Sequence, residues 1–349
     1  FTYSDYGEKN IAGSPRAPGS SVKPYDYASL MKSSENWGAG SIMYDWVTVM
    51  PGWPANAPPR DYDKSNPGPG PASIRTLLGG SRNITAIKAM YIAGIPQTQD
   101  LAKKMGVKSG YVGCKDVVNK VEDCQDILST AIGDGGEIRL DEHVHGYATF
   151  SRGGKVIPQM YVLKILDTKG KVIRDNTKEP VGEQALDPQI AYMITDILSD
   201  PSASFFRNTR GNARQVLRDY DDVGIPTAIK TGTTNAAENG WMMGFTPQYA
   251  TGVWVGNHEN TSTTNSYMET MTGPIWGEYM RRVSEGQPVP ARWTQPEGIK
   301  TVAHNGDFYK IVKAACKGAP CGYGQSDIYP SWYTPKKSSN AQQKVVIDT

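Results

Sequence analysis

The segment Ser20-Ser-Val-Lys23 places a hydroxyl and an amine at the spacing that acyl-transfer chemistry requires. Residues three apart on a helix lie on one face, so the two side chains can approach each other. A serine hydroxyl becomes a good nucleophile only when a neighbouring base removes its proton. A lysine can be that base if burial and nearby cations lower its pKa from about 10.4. The pattern therefore predicts a nucleophilic Ser20 with Lys23 as its base.

The same spacing occurs a second time, in Ser29-Leu-Met-Lys32, so the motif alone is a weak signal. An exposed serine and lysine on a solvated helix satisfy it equally well. Context favours Ser20, because the preceding Pro18-Gly19 indicates a sharp entry into a helix.

The segment Ser81-Arg-Asn83 stands at the start of the next strongly periodic stretch. A hydroxyl here could relay a proton to a leaving amine, and the Asn83 amide could hold a peptide group of a substrate. The alternative is that Ser81 is an ordinary helix N-cap.

The segment Lys230-Thr-Gly-Thr233 ends a strand-like run. Lys230 beside the small hydroxyl of Thr231 would suit recognition of a substrate carboxylate. Gly232 would allow close backbone approach, and the amide of Thr233 could donate to an oxyanion. The alternative is a glycine-containing strand end with an exposed lysine.

In combination, S-x-x-K, S-x-N and K-T-G form the ordered set of the penicillin-recognising serine acyl-enzymes. The longer strings resemble those of class A penicillin-binding proteins, and the resemblance covers roughly residues 5–285. The strings that carry it are Arg16-Ala-Pro-Gly-Ser-Ser-Val-Lys-Pro, Ser81-Arg-Asn-Ile-Thr-Ala-Ile-Lys88, Tyr147-Ala-Thr-Phe-Ser-Arg-Gly-Gly154, Lys230-Thr-Gly-Thr-Thr-Asn and Trp241-Met-Met-Gly-Phe-Thr-Pro247.

This resemblance implies an α+β fold of the penicillin-binding protein and serine β-lactamase type. Its central antiparallel sheet is flanked by helices, an all-helical subdomain adjoins it, and the active site lies between the two. The implied roles are Ser20 as nucleophile, Lys23 as base and Ser81 as proton relay, with the backbone amides of Ser20 and Thr233 as oxyanion hole. The donor site would be lined by Asn83, Lys230, Thr231, Gly232 and Thr233.

The implied reaction is D,D-transpeptidation of peptidoglycan. Ser20 attacks the penultimate D-Ala carbonyl of a stem peptide, D-Ala leaves, and an amine on a neighbouring stem takes the acyl group. β-Lactams mimic the D-Ala-D-Ala end and leave the serine acylated. Two alternatives share these residues: a D,D-carboxypeptidase, and a non-catalytic β-lactam-binding sensor or scaffold. A β-lactamase is disfavoured, because its water-activating strings E-x-x-L-N and Y-x-N do not occur in the sequence.

Composition narrows the remaining functional classes. Apolar residues make up 38% and charged residues 21% of 349, which is typical of a globular chain with a large core. The net charge of +2 and the absence of a basic run argue against nucleic acid and against a polybasic membrane patch. No stretch approaches 18 apolar residues, and the chain opens on Phe1 as if trimmed. We expect membrane attachment only through an anchor outside this chain, and a location on the extracytoplasmic face of the bacterial plasma membrane.

No cofactor and no metal is expected. His143-Val-His145 lacks further ligands nearby in the sequence, and Asp61-Tyr-Asp63 lacks the glycine and glutamate of a calcium loop. The four cysteines fall into two close pairs, which allows two local disulfides or four free thiols. The pairs are Cys114/Cys124 and Cys316/Cys321.

Hydrophobic periodicity and turn residues predict the elements that must position these groups. Residues 38–71 read as a long irregular stretch rich in Trp, Pro and Gly, and 156–174 as a hairpin. Residues 1–283 are expected to form the transpeptidase domain, and 284–349 a Pro/Gly-rich extension on its surface. The predicted helices span 20–32, 72–78, 84–92, 96–105, 126–132, 142–150, 187–198 and 272–283, and the predicted strands span 227–231, 241–245 and 249–256.

Overall fold

The computed structural model describes residues 11–335 except 52, 54–55, 64–69, 114–126, 178–181, 204–223, 235–236, 264–268 and 305–325. All four cysteines, with the two local disulfides that their spacing allows, lie outside the described residues. Asn235, the last residue of the K-T-G-T-T-N string, also lies outside them.

Runs of consecutive helices and runs of consecutive strands follow one another along the described chain, with short 3-10 turns between some of them. The α-helices are α1 (Lys23–Ser33), α2 (Ile74–Gly79), α3 (Asn83–Ala93), α4 (Ile95–Met105), α5 (Leu140–Ser151), α6 (Pro188–Ser199) and α7 (Glu269–Ser284). The strands are β1 (Ile42–Asp45), β2 (Gly70–Ser73), β3 (Lys155–Val156), β4 (Lys164–Leu166), β5 (Val172–Asp175), β6 (Glu183–Gln184), β7 (Ala228–Thr233), β8 (Asn239–Phe245), β9 (Ala250–Gly256), β10 (Lys300–Ala303) and β11 (Ser326–Tyr329).

Helix α1 is the central helix of the core and is buried along nearly its whole length. It packs against α3, α4 and α6. The predicted helix 20–32 is confirmed in its extent, but its first turn differs. Residues Gly19–Val22 form a single 3-10 turn, here called the Ser20 turn, and α1 begins at Lys23. Pro24 stands in the first turn of α1, where its missing N–H costs no hydrogen bond.

Strands β7, β8 and β9 form an antiparallel sheet in that order. Successive side chains of a strand point to opposite faces, and the buried residues of β8 follow this rule. Trp241 and Phe245 join the core cluster that also contains Tyr147 of α5. Met242, from the opposite face, packs with Trp276 of α7. The predicted antiparallel sheet flanked by helices is thereby confirmed.

Two regions depart from the predicted element pattern. The stretch 38–71 contains β1, which pairs antiparallel with β2. Each strand is only four residues long, and β2 opens with glycine and proline, so β-propensity gives little signal there. The hairpin predicted over 156–174 is present only as β4 and β5, because residues 157–163 are not in a strand, and both strands are largely exposed.

The C-terminal segment packs onto the body of the molecule through β10 and β11, which pair antiparallel. Tyr329 of β11 is buried, and its ring leaves no space for a side chain at Gly38. The guanidinium of Arg75, in α2, contacts Asp327 of β11 at 2.6 Å. The same guanidinium contacts Asp196 at 2.6 Å and Asp200 at 3.2 Å, both at the end of α6. The described part of the extension is therefore held in place, while the predicted domain boundary stays a prediction.

Within the described residues, no helix has both the length and the apolar character that crossing a lipid bilayer demands.

We expect Arg75→Met to lower the free energy of unfolding by about 3–5 kcal/mol, because it strands three carboxylates around a largely buried position. Urea titration followed by tryptophan fluorescence measures this change. The matched control is Arg282→Met, since Arg282 contacts Glu278 at 2.7 Å on an exposed surface and should cost less than about 1 kcal/mol. Equal losses in the two variants would contradict a stabilising role of the Arg75 cluster.

Candidate active site

Two buried lysines meet at the hydroxyl of Ser81. The Lys230 ammonium nitrogen lies 2.8 Å from Ser81 Oγ, and that of Lys23 lies 3.4 Å from the same oxygen. Lys23 Nζ also donates to the Ser81 carbonyl oxygen at 2.5 Å and to Asn83 Oδ1 at 2.6 Å. Lys23 is 0% exposed, Lys230 4% and Ser81 7%. Four residues from three distant segments of the sequence are thus brought into one hydrogen-bonded cluster.

Burial controls the protonation of both amines. It lowers the pKa of Lys23 from 10.5 to about 7, an effect opposed by the negative charges of Asp61 and Asp26. The pKa of Lys230 lies well below its usual value, first because of burial and second because of the Lys23 charge. A neutral Lys23 can donate its two N–H groups to Ser81 O and Asn83 Oδ1, which leaves its lone pair available as a base. A pKa of about 7 means that the amine is neutral in a large fraction of molecules at neutral pH, and the predicted role as a base requires this neutral form.

The Ser20 turn lies directly against β7. Gly19 has a φ of +54°, which favours glycine, and a Cβ there would lie 2.7 Å from the backbone of Thr233. A Cβ on Gly232 would lie 3.0 Å from the backbone nitrogen of Ser21. β7 pairs only with β8 in the described sheet, so its other edge is open toward the turn. Two glycines thus permit the contact between the first and third motifs.

Ser20 itself is half-buried, in contrast to the amines beside it. Its hydroxyl makes no hydrogen bond to any described residue, including Lys23. The Gly19 N–H donates to Gly133 O at 3.2 Å and the Ser21 N–H to Pro18 O at 3.4 Å. The Ser20 N–H between them is not used by the described chain, so an oxyanion can accept from it. Catalytic hydrogen bonds are often long without substrate, and the missing Ser20–Lys23 bond fits that rule.

The two threonines of the third motif lie at the exposed side of β7. Thr231 and Thr233 are half-buried, and Thr231 O accepts a hydrogen bond from Lys230 Nζ at 2.8 Å. Lys230 is not the exposed lysine of the alternative interpretation, and its amine faces Ser81. The second S-x-x-K match differs, because Lys32 is exposed at the end of α1.

An arginine that sequence reasoning did not select fixes the second motif. Arg82 contacts Asp45 at 2.5 Å, Asp61 at 2.9 Å and Asp63 at 2.9 Å. Asp61 Oδ1 also accepts from the backbone N–H of Asn83 at 2.6 Å. Asp61 and Asp63, which the sequence pattern did not assign to any site, have Arg82 as their partner about 20 residues away in the sequence. No local pattern signals such ion pairs.

Ser81 is not the N-cap of α3, which was the alternative for this motif. Helix α3 begins at Asn83 with Arg82 as N-cap, and Ser81 has a φ of +55°. A non-glycine residue at positive φ is uncommon and costs about 1–2 kcal/mol. The ion pairs of Arg82 hold the neighbouring backbone, so this conformation is kept where the hydroxyl faces both lysines.

The remaining ligand-like patterns do not converge. The imidazole of His143 contacts Ser21 Oγ at 2.9 Å, whereas that of His145 contacts the carbonyl of Ile157 at 2.7 Å. Among the residues that the structure describes, no group of three or more His, Cys, Asp or Glu side chains could hold a metal ion.

Comparison with known proteins identifies the family to which this chain belongs. The model of the penicillin-binding protein transpeptidase domain matches residues 5–281. Penicillin-binding protein 1A of Neisseria lactamica is 27% identical over 301 residues, which are 84% of this chain and 34% of that protein. Penicillin-binding protein 2D of Bacillus subtilis is 26% identical over 300 residues, 82% of this chain and 38% of that protein. The chain thus spans about a third of the length of these relatives.

Solved structures give the same result for the fold. Penicillin-binding protein 1A of Haemophilus influenzae superposes with a TM-score of 0.71 at 19% identity, over 95% of this chain and 50% of that one. PonA1 of Mycobacterium tuberculosis, solved in complex with penicillin V, superposes with a TM-score of 0.66 at 20% identity, over 83% of this chain and 75% of that one. The predicted fold class and the resemblance to class A penicillin-binding proteins are confirmed, and this chain belongs to the family of penicillin-binding protein transpeptidase domains.

Proposed function

We propose that this chain is a D,D-transpeptidase that cross-links peptidoglycan stem peptides through an acyl-enzyme on Ser20. One observation carries the proposal: two buried amines, Lys23 and Lys230, reach the hydroxyl of Ser81, and the half-buried Ser20 stands three residues before Lys23 in the chain. Membership of the transpeptidase family supports the reaction class. The relatives that share this domain are named penicillin-binding proteins, which supports action on peptidoglycan outside the cytoplasm.

Acylation begins with proton transfer from Ser20 to the neutral amine of Lys23. The Ser20 oxygen then attacks the carbonyl carbon of the penultimate D-Ala, and the carbonyl oxygen becomes an oxyanion. The N–H of Ser20 and that of Thr233 stabilise this charge, and one such donor is typically worth about 2.7–4 kcal/mol. The N–H of Ser20 is available because the described chain does not use it.

Collapse of the tetrahedral intermediate needs a proton on the departing nitrogen of D-Ala. Lys23 holds the proton from Ser20, and the hydroxyl of Ser81 lies 3.4 Å away as the next carrier. Lys230 donates to Ser81 Oγ at 2.8 Å, which leaves the hydroxyl proton of Ser81 free to point to the leaving group. An acceptor amine then attacks the ester, and the same groups move the protons in reverse.

The donor peptide would bind along the exposed side of β7. Thr231 and Thr233 present hydroxyls there, and Gly232 allows the peptide and the Ser20 turn to approach the strand closely. The Asn83 amide, whose oxygen accepts from Lys23, would orient the peptide from the opposite wall. A β-lactam would occupy the same place, and the related PonA1 was solved in complex with penicillin V.

We expect benzylpenicillin to form one covalent adduct, on the peptide that contains Ser20, and Ser20→Ala to abolish it. Intact-protein and peptide mass spectrometry measure the adduct. The matched control is Ser29→Ala, which alters the second S-x-x-K segment and should leave adduct formation unchanged. An adduct that persists in Ser20→Ala would overturn the assignment of the nucleophile.

We expect the acylation rate constant to rise with pH and to level off above about 7, the pKa of buried Lys23. The neutral amine is the active form, so the rate should fall about tenfold per pH unit below that pKa. Lys23→Met should slow acylation about 10²–10⁴-fold and remove this pH dependence. Stopped-flow measurements with nitrocefin give the profile. Lys32→Met, on the exposed end of α1, serves as control and should keep the native profile.

We expect a stem pentapeptide ending in D-Ala-D-Ala, given together with an amine acceptor, to yield D-Ala and the cross-linked product. Mass spectrometry of the products distinguishes a transpeptidase from the two alternative functions. Hydrolysis without cross-linking would indicate a D,D-carboxypeptidase instead. Acylation by penicillin with no peptide turnover would indicate a β-lactam-binding sensor or scaffold.

A further inference from the structure

His143 of α5 stands outside the three motifs and is completely buried. Its Nε2 lies 2.9 Å from Ser21 Oγ, and its Nδ1 lies 3.1 Å from Tyr25 Oη. Ser21 follows the proposed nucleophile directly in the chain, and its hydroxyl lies 2.8 Å from the carbonyl oxygen of Pro18. One imidazole therefore contacts both the Ser20 turn and the beginning of α1.

The hydrogen-bond inventory fixes the direction of this chain of contacts. A carbonyl oxygen only accepts, so the Ser21 hydroxyl donates to Pro18 O and accepts from His143 Nε2–H. Tyr25 then donates its O–H to His143 Nδ1. The opposite tautomer would leave the buried O–H of Tyr25 without an acceptor, which costs about 1–3 kcal/mol. Burial lowers the pKa of His143 to about 3, so the imidazole stays neutral and keeps this pattern at physiological pH.

The hydrogen bond from the Ser21 hydroxyl to Pro18 O closes the Ser20 turn. Ser21 N–H reaches Pro18 O at 3.4 Å, whereas Ser21 Oγ reaches it at 2.8 Å. The side-chain bond is thus the shorter of the two that span Gly19 and Ser20. The hydroxyl of Tyr147, four residues after His143 on α5, donates to Ser21 O at 2.6 Å. Helix α5 thereby holds the residue after the nucleophile by both its side chain and its backbone.

The imidazole is held in this orientation by aromatic rings. The His143 ring packs edge-to-face with Tyr147, with ring centroids 5.0 Å apart and an interplanar angle of 84°. It packs in the same way with Trp241, at 6.0 Å and 79°. Trp241 belongs to β8 and lies opposite Gly232 of β7 in the sheet register. Its indole N–H donates to Ala17 O at 2.8 Å, just before the Ser20 turn. The ring of His143 therefore lies between the sheet and the turn that must align with it.

We propose that His143 is a positioning residue for the acylation of Ser20 proposed above. Its Nε2–H donates to the Ser21 hydroxyl, which in turn donates to Pro18 O, and this chain of hydrogen bonds holds the Ser20 turn against β7. His143 touches neither substrate nor the reacting atoms. This inference rests on the proposed function, because it concerns the geometry of the Ser20 nucleophile relative to the N–H groups of the oxyanion hole.

The test compares two replacements of the imidazole. His143→Met removes the donor, and His143→Gln keeps an N–H near the position of Nε2. We expect His143→Met to lower the first-order acylation constant with benzylpenicillin about tenfold, the upper end for one net hydrogen bond, with the noncovalent dissociation constant unchanged. His143→Gln should stay within about threefold of the native constant on the same grounds. The constant refers to each acylatable molecule, so partial unfolding of a variant does not lower it.

A double-mutant cycle separates positioning from general stability. Ser21→Ala should lower the first-order acylation constant about tenfold. Adding His143→Met to Ser21→Ala should lower the constant no further, because the hydrogen bond between His143 Nε2 and Ser21 Oγ is already absent. His145→Gln, two residues along α5 with its bond to Ile157, is the control and should acylate at the native rate. Additive losses, or a glutamine variant no faster than the methionine variant, would overturn the inference. If the native protein forms no adduct on Ser20, the proposed function itself fails, which is a separate outcome.

Discussion

The site depends on two lysine amines that are buried beside one hydroxyl, and no carboxylate of the described residues is in contact with either amine. Burying a cation without a close counter-ion is costly, and a protein avoids the cost by lowering the pKa until the amine is neutral. Here Asp61, whose charge acts on Lys23, has one carboxylate oxygen on Arg82 and the other on the Asn83 N–H. Arg82 binds this carboxylate, and its positive charge lowers the pKa of Lys23. The Lys23 amine is therefore available as a neutral base and is not held as an ammonium ion paired with Asp61.

The same arginine connects the chemistry to the backbone. Arg82 follows Ser81, whose positive φ directs its hydroxyl to the lysines. Buried ion pairs contribute little net stability compared with apolar packing, but they define one geometry, and removal of one partner is strongly destabilising. We infer that the three aspartates around Arg82 serve orientation more than stability. The strained Ser81 is then maintained by long-range contacts rather than by its own sequence.

The sequence predicted the helices and strands, and which motif residues come together, better than it predicted their geometry. The helix predicted over 187–198 is present as α6, because Asp187 and Pro188 form a local capping signal, and Asp187 Oδ1 accepts from Gln189 N–H at 2.8 Å. The three motifs also carry their order and spacing in the sequence. The positive φ of Ser81 and the ion pairs of the neighbouring Arg82 were not predictable, because the aspartates that bind Arg82 lie in segments that only tertiary folding brings close. His143 showed only an H-x-H spacing without further ligands, and nothing in that pattern indicates a contact to the Ser20 turn.

The position of the proposed nucleophile explains why the core and the site cannot be separated in this fold. In the proposed mechanism Ser20 must be exposed to meet a peptide, whereas Lys23, its proposed base, must be buried away from water to remain neutral, and the two are only three residues apart in the sequence. The chain meets both demands by changing from a 3-10 turn to a buried α-helix at Lys23. The turn is then supported from outside α1, by Gly232 of β7 below it and by His143 and Tyr147 of α5 beside it. A substitution that loosens the packing among α1, α5 and the sheet would admit water to Lys23, restore its charge and remove the base, even with every motif residue intact.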